Sequence, residues 1–333
     1  MRKTMVFVFA LICFGVSGCP DDNRNRQMDQ AHAHLRLVAA HIGEAFAPMR
    51  LDIRSLADHA RQLYAAHKPA IPPAARKHYA QAPNGVFYKK TRDGKPSLFI
   101  SALNPITQAA RDMGYLTECL DSALMNACSH PSVIQAYYNT RQNICRIYPP
   151  VDVLTQFDPH TDIPGFAFYY EADIIHNPGK GPVWMAHPYV DPAGRGWIVS
   201  LICPVYAHDR LQGVVGLDIA VATMAKTFPT LQDKSVLMID DAGGIITGNE
   251  AMTSLLSMPP VTKEKYLRSI TDNTGRPDGH SLLQSRSRDV RAMTEKILNH
   301  GADRASITIR GKDYTAIAAR IPEPGWTIIR MMD

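Results

Sequence analysis

The 333-residue chain lacks the short signatures that announce most catalytic chemistries. No Cys-x-x-Cys or Cys-x-x-Cys-His spacing occurs, which removes the strongest support for zinc, haem or thioredoxin-like sites. No HExxH motif is present, the stretch Gly216-Leu217-Asp218-Ile219-Ala220 is no serine nucleophile elbow, and Gly179-Lys180-Gly181 lacks the strand, spacing and hydroxyl of a phosphate loop. Charge is sparse as well. A net +5 on 20% charged residues, with Lys and Arg scattered, gives no footprint for nucleic acid. Beyond the first eighteen residues no apolar run is long enough for a membrane helix. The sequence therefore offers no catalytic residues, no cofactor and no metal, and an enzyme reading gains no footing.

What is present begins with an export signal over residues 1–18. Arg2 and Lys3 open it, Met5 to Phe14 is a short apolar run, and small residues precede Cys19. This stretch resembles a bacterial lipobox, which implies cleavage before Cys19 and a lipid on that cysteine. The expected location is periplasm-facing and lipid-anchored, and Pro20 favours the outer membrane by resemblance to lipoprotein sorting rules. Of six cysteines, Cys119, Cys128, Cys145 and Cys203 then remain. An exported protein permits disulfides, and the spacing leaves Cys119–Cys128 and Cys145–Cys203 open as pairs or as free thiols.

A tether over 19–26 leads into a stalk helix expected over 27–68. Apolar residues recur there in steps of three and four, from Met28 through Leu35, Ile42, Met49 and Leu56 to Leu63. Pro48 should kink it, and the prolines at 69, 72 and 73 end it. The same spacing serves a dimer seam as readily as an intramolecular one. Two similar plans follow. "GVFYKKTRDGKPSLFIS" and "SVLMIDDAGGIITGN" each read as strand, turn and strand. Each precedes a helical stretch, Ile106 to Ala127 in the first case and about Lys263 to Asn299 in the second. Each unit closes with β-rich segments. The class is α+β: a long N-terminal helix, then two α/β units with antiparallel sheets, over 69–228 and 229–333. The first unit carries an extra segment from Pro149 to Gly196, rich in Pro, Gly, Tyr and Asp, and a loop of that length is usually functional.

Within and beside that segment lie the parts of a cation site. A desolvated ammonium needs carboxylates for charge and ring faces for cation–π contact. Asp191 and Asp218 supply the first, and Tyr169, Tyr170, Trp184, Tyr189 and Trp197 the second. Structural roles compete at each position. Trp197 leads straight into a strand and reads as core, Trp184 is open, and Tyr170 cannot share a face with Tyr169. Asp191 either faces a ligand or caps the "DPAG" turn. Asp218 interrupts an apolar strand, so its partner is a bound cation or an internal group such as Arg146. Arg146 and Tyr148 share one face of a strand. Facing inward, Arg146 is a carboxylate clamp, and facing outward both are ordinary surface residues. "DPHTD", Asp158 to Asp162, reads as a turn, and His32 and His34, two apart on the helix, read as solvated.

The segments "PVWMAHPYVDPAGRGWIVSLICPVY", "LQGVVGLDI" and "IPEPGWTII" resemble the extracellular double Cache sensor domain, a pair of PAS-like units. The resemblance covers nearly all of the mature chain. It implies a membrane-distal unit (69–228) that binds the ligand and a membrane-proximal unit (229–333). In amino-acid-binding members an Arg-x-Trp-Tyr stretch grips the carboxylate. Here Phe168 and Tyr169 fall at the Trp and Tyr positions, but Phe166 occupies that of Arg. Tyr189, Asp191 and Asp218 match the ammonium side. The expected function is a lipid-anchored sensor for a small cationic or amino-acid-like ligand, with Trp184, Arg146 and Tyr148 as further candidates. Because the chain ends at Asp333, directly after the last strand, the message is expected to pass to a separate protein. Two alternatives stand beside it: an envelope interaction module that binds no small molecule, and a carboxylate binder using Arg141 or Arg146.

Overall fold

The computed structural model describes residues 20–65, 71, 73–185, 188–191, 194–258 and 281–333. The export segment, Cys19, His187, Pro192, Ala193 and the first part of the helix expected from Lys263 lie outside the described residues. Helix α1 (Pro20–Phe46) begins inside the stretch expected as a tether, with Pro20 at its first position, where a missing N–H costs nothing. A second helix, α2 (Met49–Gln62), follows directly. The single stalk is thus two helices. Pro48 has no N–H to give the carbonyl four residues back, and the chain breaks at Ala47 and Pro48.

The break falls where the two units meet. The apolar stripe of α1 packs on the second unit, against the strands later called β13 and β14, while α2 packs on the first, against β8 and β9. Leu35, Ile42, Met49, Ile53 and Leu56 are at most 1% exposed and belong to one cluster that includes Leu217 of the first unit and Ile328 of the second. Each such side chain contributes about 1.5–3 kcal/mol on burial, so the helix pair fastens both units along one seam. His32 lies on this seam. It is buried, with Nε2 3.1 Å from the Ala318 carbonyl, and its expected solvation is corrected. His34 is exposed.

The first unit is a nine-stranded antiparallel sheet. Strands β1 (Tyr79–Gln81), β2 (Phe87–Lys89), β3 (Ser97–Ile100), β4 (Gln135–Thr140), β5 (Ile144–Tyr148), β6 (Val183–Trp184), β7 (Tyr189–Val190), β8 (Trp197–Ala207) and β9 (Arg210–Ala220) run in spatial order β1-β2-β3-β5-β4-β9-β8-β6, with β7 also on β8. The helical stretch expected over 106–127 is α3 (Gln108–Leu116) and α4 (Asp121–Ala127) with a 3-10 turn between. The central strands are buried on both faces, which is why "WIVSLICPV" and "GVVGLDIAV" read as continuous apolar runs. One face carries α2 and α4. The other is roofed by the inserted segment, with α5 (Val153–Gln156) and α6 (Ala167–Tyr170), and forms its own cluster around Phe99, Tyr137, Ile147, Phe168 and Tyr189.

After α7 (Val221–Thr227) the second unit builds a five-stranded antiparallel sheet in order β11-β10-β14-β13-β12, from β10 (Val236–Ile239), β11 (Ile245–Gly248), β12 (Arg304–Ile309), β13 (Lys312–Arg320) and β14 (Thr327–Met332). Helices α8 (Glu250–Leu255) and α9 (Arg288–Asn299) complete it, and α9 covers the face opposite α1.

Candidate ligand-binding site

A cavity of about 260 Å³ lies between the first sheet and the inserted segment. Strand register decides which residues line it. Across the β4–β5 ladder Tyr137 pairs with Ile147 and Tyr138 with Arg146. Directly opposed residues share a face, so Gln135, Tyr137 and Asn139 face the insertion together with Cys145 and Ile147, whereas Tyr138, Arg146 and Tyr148 look toward the helices.

At the floor, Asp218 of β9 stands opposite Gln135 and is 1% exposed. Gln135 Nε2 donates to its Oδ2 at 2.8 Å and Ser200 Oγ to its Oδ1 at 2.5 Å. The Tyr189 hydroxyl is 2.7 Å from Ser200 Oγ, so with Asp218 ionised a chain of donation runs from Tyr189 through Ser200 to the carboxylate. No basic side chain bonds to Asp218 in these contacts. Burial, and then the like charge of Asp191, hold its pKa well above the usual carboxylate range, and the two hydrogen bonds and more distant Arg195 recover only part of that. Asp191, 4% exposed, lines the same cavity. It also holds its own turn: Oδ2 accepts from Arg195 N–H at 3.2 Å and its carbonyl from Gly194 N–H at 2.9 Å. Gly194 and Gly196 supply φ of 85° and 86° there, a region closed to most side chains. The turn role weighed for Asp191 is therefore present, in a residue that also lines the cavity.

The walls are rings. Phe166 and Phe168 stack at 5.0 Å and 11°, and Phe168 meets Tyr137 at 5.9 Å and Tyr189 at 6.2 Å. The Phe at the position of the family arginine is thus part of the pocket. Gln135 Oε1 and Asn139 Oδ1 are buried on this lining with no hydrogen-bond partner. Unpaired buried acceptors are rare, and each costs about 1–3 kcal/mol until something donates to it. Asp158 and Thr161 lie at the rim, and Asp158 forms the expected turn, its Oδ1 accepting from His160 N–H at 2.7 Å. Among the described lining residues there are three aspartates and no Lys, Arg or His.

Several candidates are placed elsewhere. Arg146 is fully buried on the helix face, where Nε and Nη2 bond the two oxygens of Asp121 at 2.7 Å and Nη1 the Tyr79 hydroxyl at 2.9 Å. Its expected turn toward the pocket, and with it a carboxylate clamp, is corrected. So is that of Tyr148, whose ring packs against the helix-side core. Trp184 packs between Phe46, tilted at 33°, and Trp326, edge-on at 64°, where the units meet, and its indole N–H donates to Glu323, which also takes Arg50 Nε at 2.6 Å. Tyr169 is buried beside Phe168 in the insertion-side cluster but is not on the cavity lining. Cys119, Cys128, Cys145 and Cys203 are free thiols. Cys145 and Cys203 occupy opposite faces of the sheet, and Cys119 and Cys128 stand at opposite ends of α4. Among the described residues no cluster could hold a metal ion and no helix is long and apolar enough to cross a membrane.

Gln135 and Asn139 escaped the sequence reading. The available signal was two amides four apart in a strand with no exposed position, since buried polar residues carry the most information.

No protein-family model matches the sequence, and no curated protein matches it. Solved structures do. The ligand-binding domain of the Pseudomonas fluorescens chemoreceptor CtaA, in complex with L-isoleucine, is similar with a TM-score of 0.53 at 15% identity, over 94% of this chain and 97% of that one. The ligand-binding domain of the Pseudomonas aeruginosa amino acid chemoreceptor PctB, in complex with L-Arg, gives 0.51 at 14%, over 93% and 96%. The sensory domain of the Campylobacter jejuni chemoreceptor Tlp3 gives 0.52 at 10%, over 94% and 96%. These are ligand-binding and sensory domains rather than enzymes, and at such identities the likeness is one of architecture. The chain has the double Cache fold of chemoreceptor sensor domains, a long N-terminal helix followed by two PAS-like units.

Proposed function

We propose that this protein is a periplasm-facing sensor, anchored by lipid on Cys19, whose membrane-distal unit binds a small primary amine and reports occupancy to a signalling partner. The observation that carries the reading is the floor of the cavity. A primary ammonium has three N–H donors, and Asp218, Asp191 and the unpaired Gln135 Oε1 offer three acceptors on one lining. Phe166, Phe168, Tyr137 and Tyr189 surround that point with rings, which favour a cation without asking for further hydrogen bonds. An amine also relieves the like-charge cost of two neighbouring buried carboxylates.

With Phe166 at the position of the arginine and Arg146 turned to the other face, no Lys, Arg or His stands among the described lining residues to meet a carboxylate. The reading therefore favours an amine over a full amino acid. A ligand-free spacer calls for a filled distal cavity, and orphaned acceptors around open space argue against it.

Isothermal calorimetry with matched panels tests this: alkyl and aryl amines, the amino acids that contain them, and the corresponding acids. Primary amines should bind and acids should not. Binding of the same amine with unchanged affinity by Asp218→Ala overturns the assignment. Labelling with radioactive fatty acid, lost in Cys19→Ala, tests the anchor.

A further inference from the structure

β12 is the outermost strand of the second sheet, paired with β13 on one side, and among the described residues no strand pairs with its other edge. Its register fixes what that edge presents. Arg310 and Gly311, at φ of 51° and 77°, turn β12 into β13 with Ile309 opposite Lys312. In a two-residue hairpin the pair next to the turn is hydrogen-bonded, and bonded and non-bonded pairs then alternate. The Asp303 carbonyl accepting Ala318 N–H at 2.9 Å gives the same phase. The backbone N–H and C=O of Arg304, Ser306 and Thr308 therefore point away from the sheet.

Sheets normally blunt such edges with short strands, Pro or bulges, and the other edges here follow that rule. β1 has three residues, β6 and β7 have two each, and β11 meets β10 with a register shift at Met238/Ile239. β12 has six residues in unbroken register and no proline. A groove of about 810 Å³ borders β12 and reaches onto β13 at Asp313 and Thr315, with Arg24 and Met28 of α1 and Met293 and Lys296 of α9 also on its lining. The strand's own faces differ. Ser306 and Thr308 are exposed, whereas Ala305, Ile307 and Ile309 are buried in the α9-side cluster.

We propose that this groove binds an extended segment of a partner polypeptide, which adds itself to β12 as a sixth strand of the second sheet. The unpaired backbone groups recur every second residue, a spacing that another extended backbone matches. Six residues span about 20 Å. The incoming strand presents polar side chains toward α1 and apolar ones toward Met293. Helices standing on both faces of the edge leave room for a single chain rather than for a second copy's β12 with its own two helices. The proposal rests on the sensor reading only in casting the partner as recipient of the signal, since strand addition does not involve the distal cavity.

Proline at 306 removes an outward N–H and leaves the β12–β13 ladder intact, because the Ser306 N–H is not used in it. A displayed library of eight-residue random peptides is selected on the full chain, and binders are measured against the wild type and Ser306→Pro. Expected are peptides with alternating polar and apolar residues that lose at least tenfold in affinity on Ser306→Pro. On peptide addition, the amides of Ser306 and Thr308 should become protected from hydrogen exchange. Unchanged melting temperature and amine binding in Ser306→Pro show that the variant is folded. The proposal is overturned by an empty selection, by peptides that bind Ser306→Pro equally, by binding without protection at 306 and 308, or by a wild-type dimer in sedimentation that Ser306→Pro dissolves. Failure of amine binding alone touches the distal site and not this one.

Discussion

Gln135 and Asp218 face each other across the β4–β9 ladder, and the single bond between them, Nε2 to Oδ2 at 2.8 Å, fixes which end of the amide is left over. Because the NH₂ end is engaged by a carboxylate, Oε1 is turned to the cavity as an acceptor without a donor. Converting Gln135 to Glu adds a third buried carboxylate there and should destabilise the empty protein, while Gln135→Leu should cost the bound amine one hydrogen bond. Calorimetry is expected to show a loss of about tenfold for Gln135→Leu, the equivalent of roughly 1.4 kcal/mol.

Asp218→Asn removes the charge and keeps the shape. Amine affinity should fall by about 30-fold or more, since deleting one partner of a desolvated charge pair costs roughly 2–5 kcal/mol. The empty protein should respond in the opposite sense at neutral pH. Burial and Asp191 raise the folded-state pKa of Asp218 above its unfolded value. The stability this proton contributes is full below the unfolded value of about 3.9 and is lost as pH rises through the folded one. Thermal melts from pH 5 to 9 should therefore show Asp218→Asn gaining on the wild type as pH increases. A variant that loses ground to the wild type as pH rises contradicts the assignment.

The same titration governs binding. An ammonium needs the ionised carboxylate, so wild-type affinity should weaken as pH falls through the raised pKa of Asp218, with uptake of a proton on ligand release. Calorimetry in buffers of different ionisation enthalpy reads that proton directly. In Asp218→Asn the pH dependence over this window should flatten.

Arg146 supports the fold from the other face. Arg146→Met leaves Asp121 buried beside Tyr79 without its cation, which should cost about 3–5 kcal/mol in denaturant unfolding. The double variant Arg146→Met/Asp121→Leu should recover much of that loss. Amine affinity of the folded double variant should remain within about threefold of wild type. A complete loss would return Arg146 to the pocket.

Two glycines of "LQGVVGLDI" are explained by their neighbours. A methyl group on Gly216 would meet Tyr137 Cζ at 2.1 Å, and one on Gly213 would meet Tyr138 Cε2 at 2.6 Å. Each ring of the Tyr137–Tyr138 pair lies across a glycine of the adjacent strand, on opposite faces of the sheet. Gly216→Ala should lower the melting temperature and weaken amine binding together, because Tyr137 lines the cavity. Gly213→Ala should mainly affect stability.

Several features were legible because they depend on short stretches of chain. Steps of three and four from Leu35 to Leu63 marked one buried helical stripe, and Pro48 marked an expected kink where the structure has a break between two helices. Turn glycines and alternation marked the hairpins, and a lone acid in "GVVGLDI" marked Asp218 as a residue needing a partner. The 149–196 segment, singled out by its aromatic and acidic content, roofs a cavity on one face of the first sheet. Arg146 stayed open because alternation gives two faces without saying which one looks at the cavity. Trp184 stayed open because its partners, Phe46, Glu323 and Trp326, come from distant parts of the chain.

By itself the sequence determined the α+β class, a long N-terminal helical stretch, the main hairpins and the need of Asp218 for company, since propensity, proline geometry and the cost of buried charge act over a few residues at a time. Only the tertiary structure decided that Gln135, Asp191 and Asp218 share a cavity while Arg146 is spent on Asp121. Strand register sets those facts, and a shift of one residue sends every side chain of β4 or β5 to the opposite face.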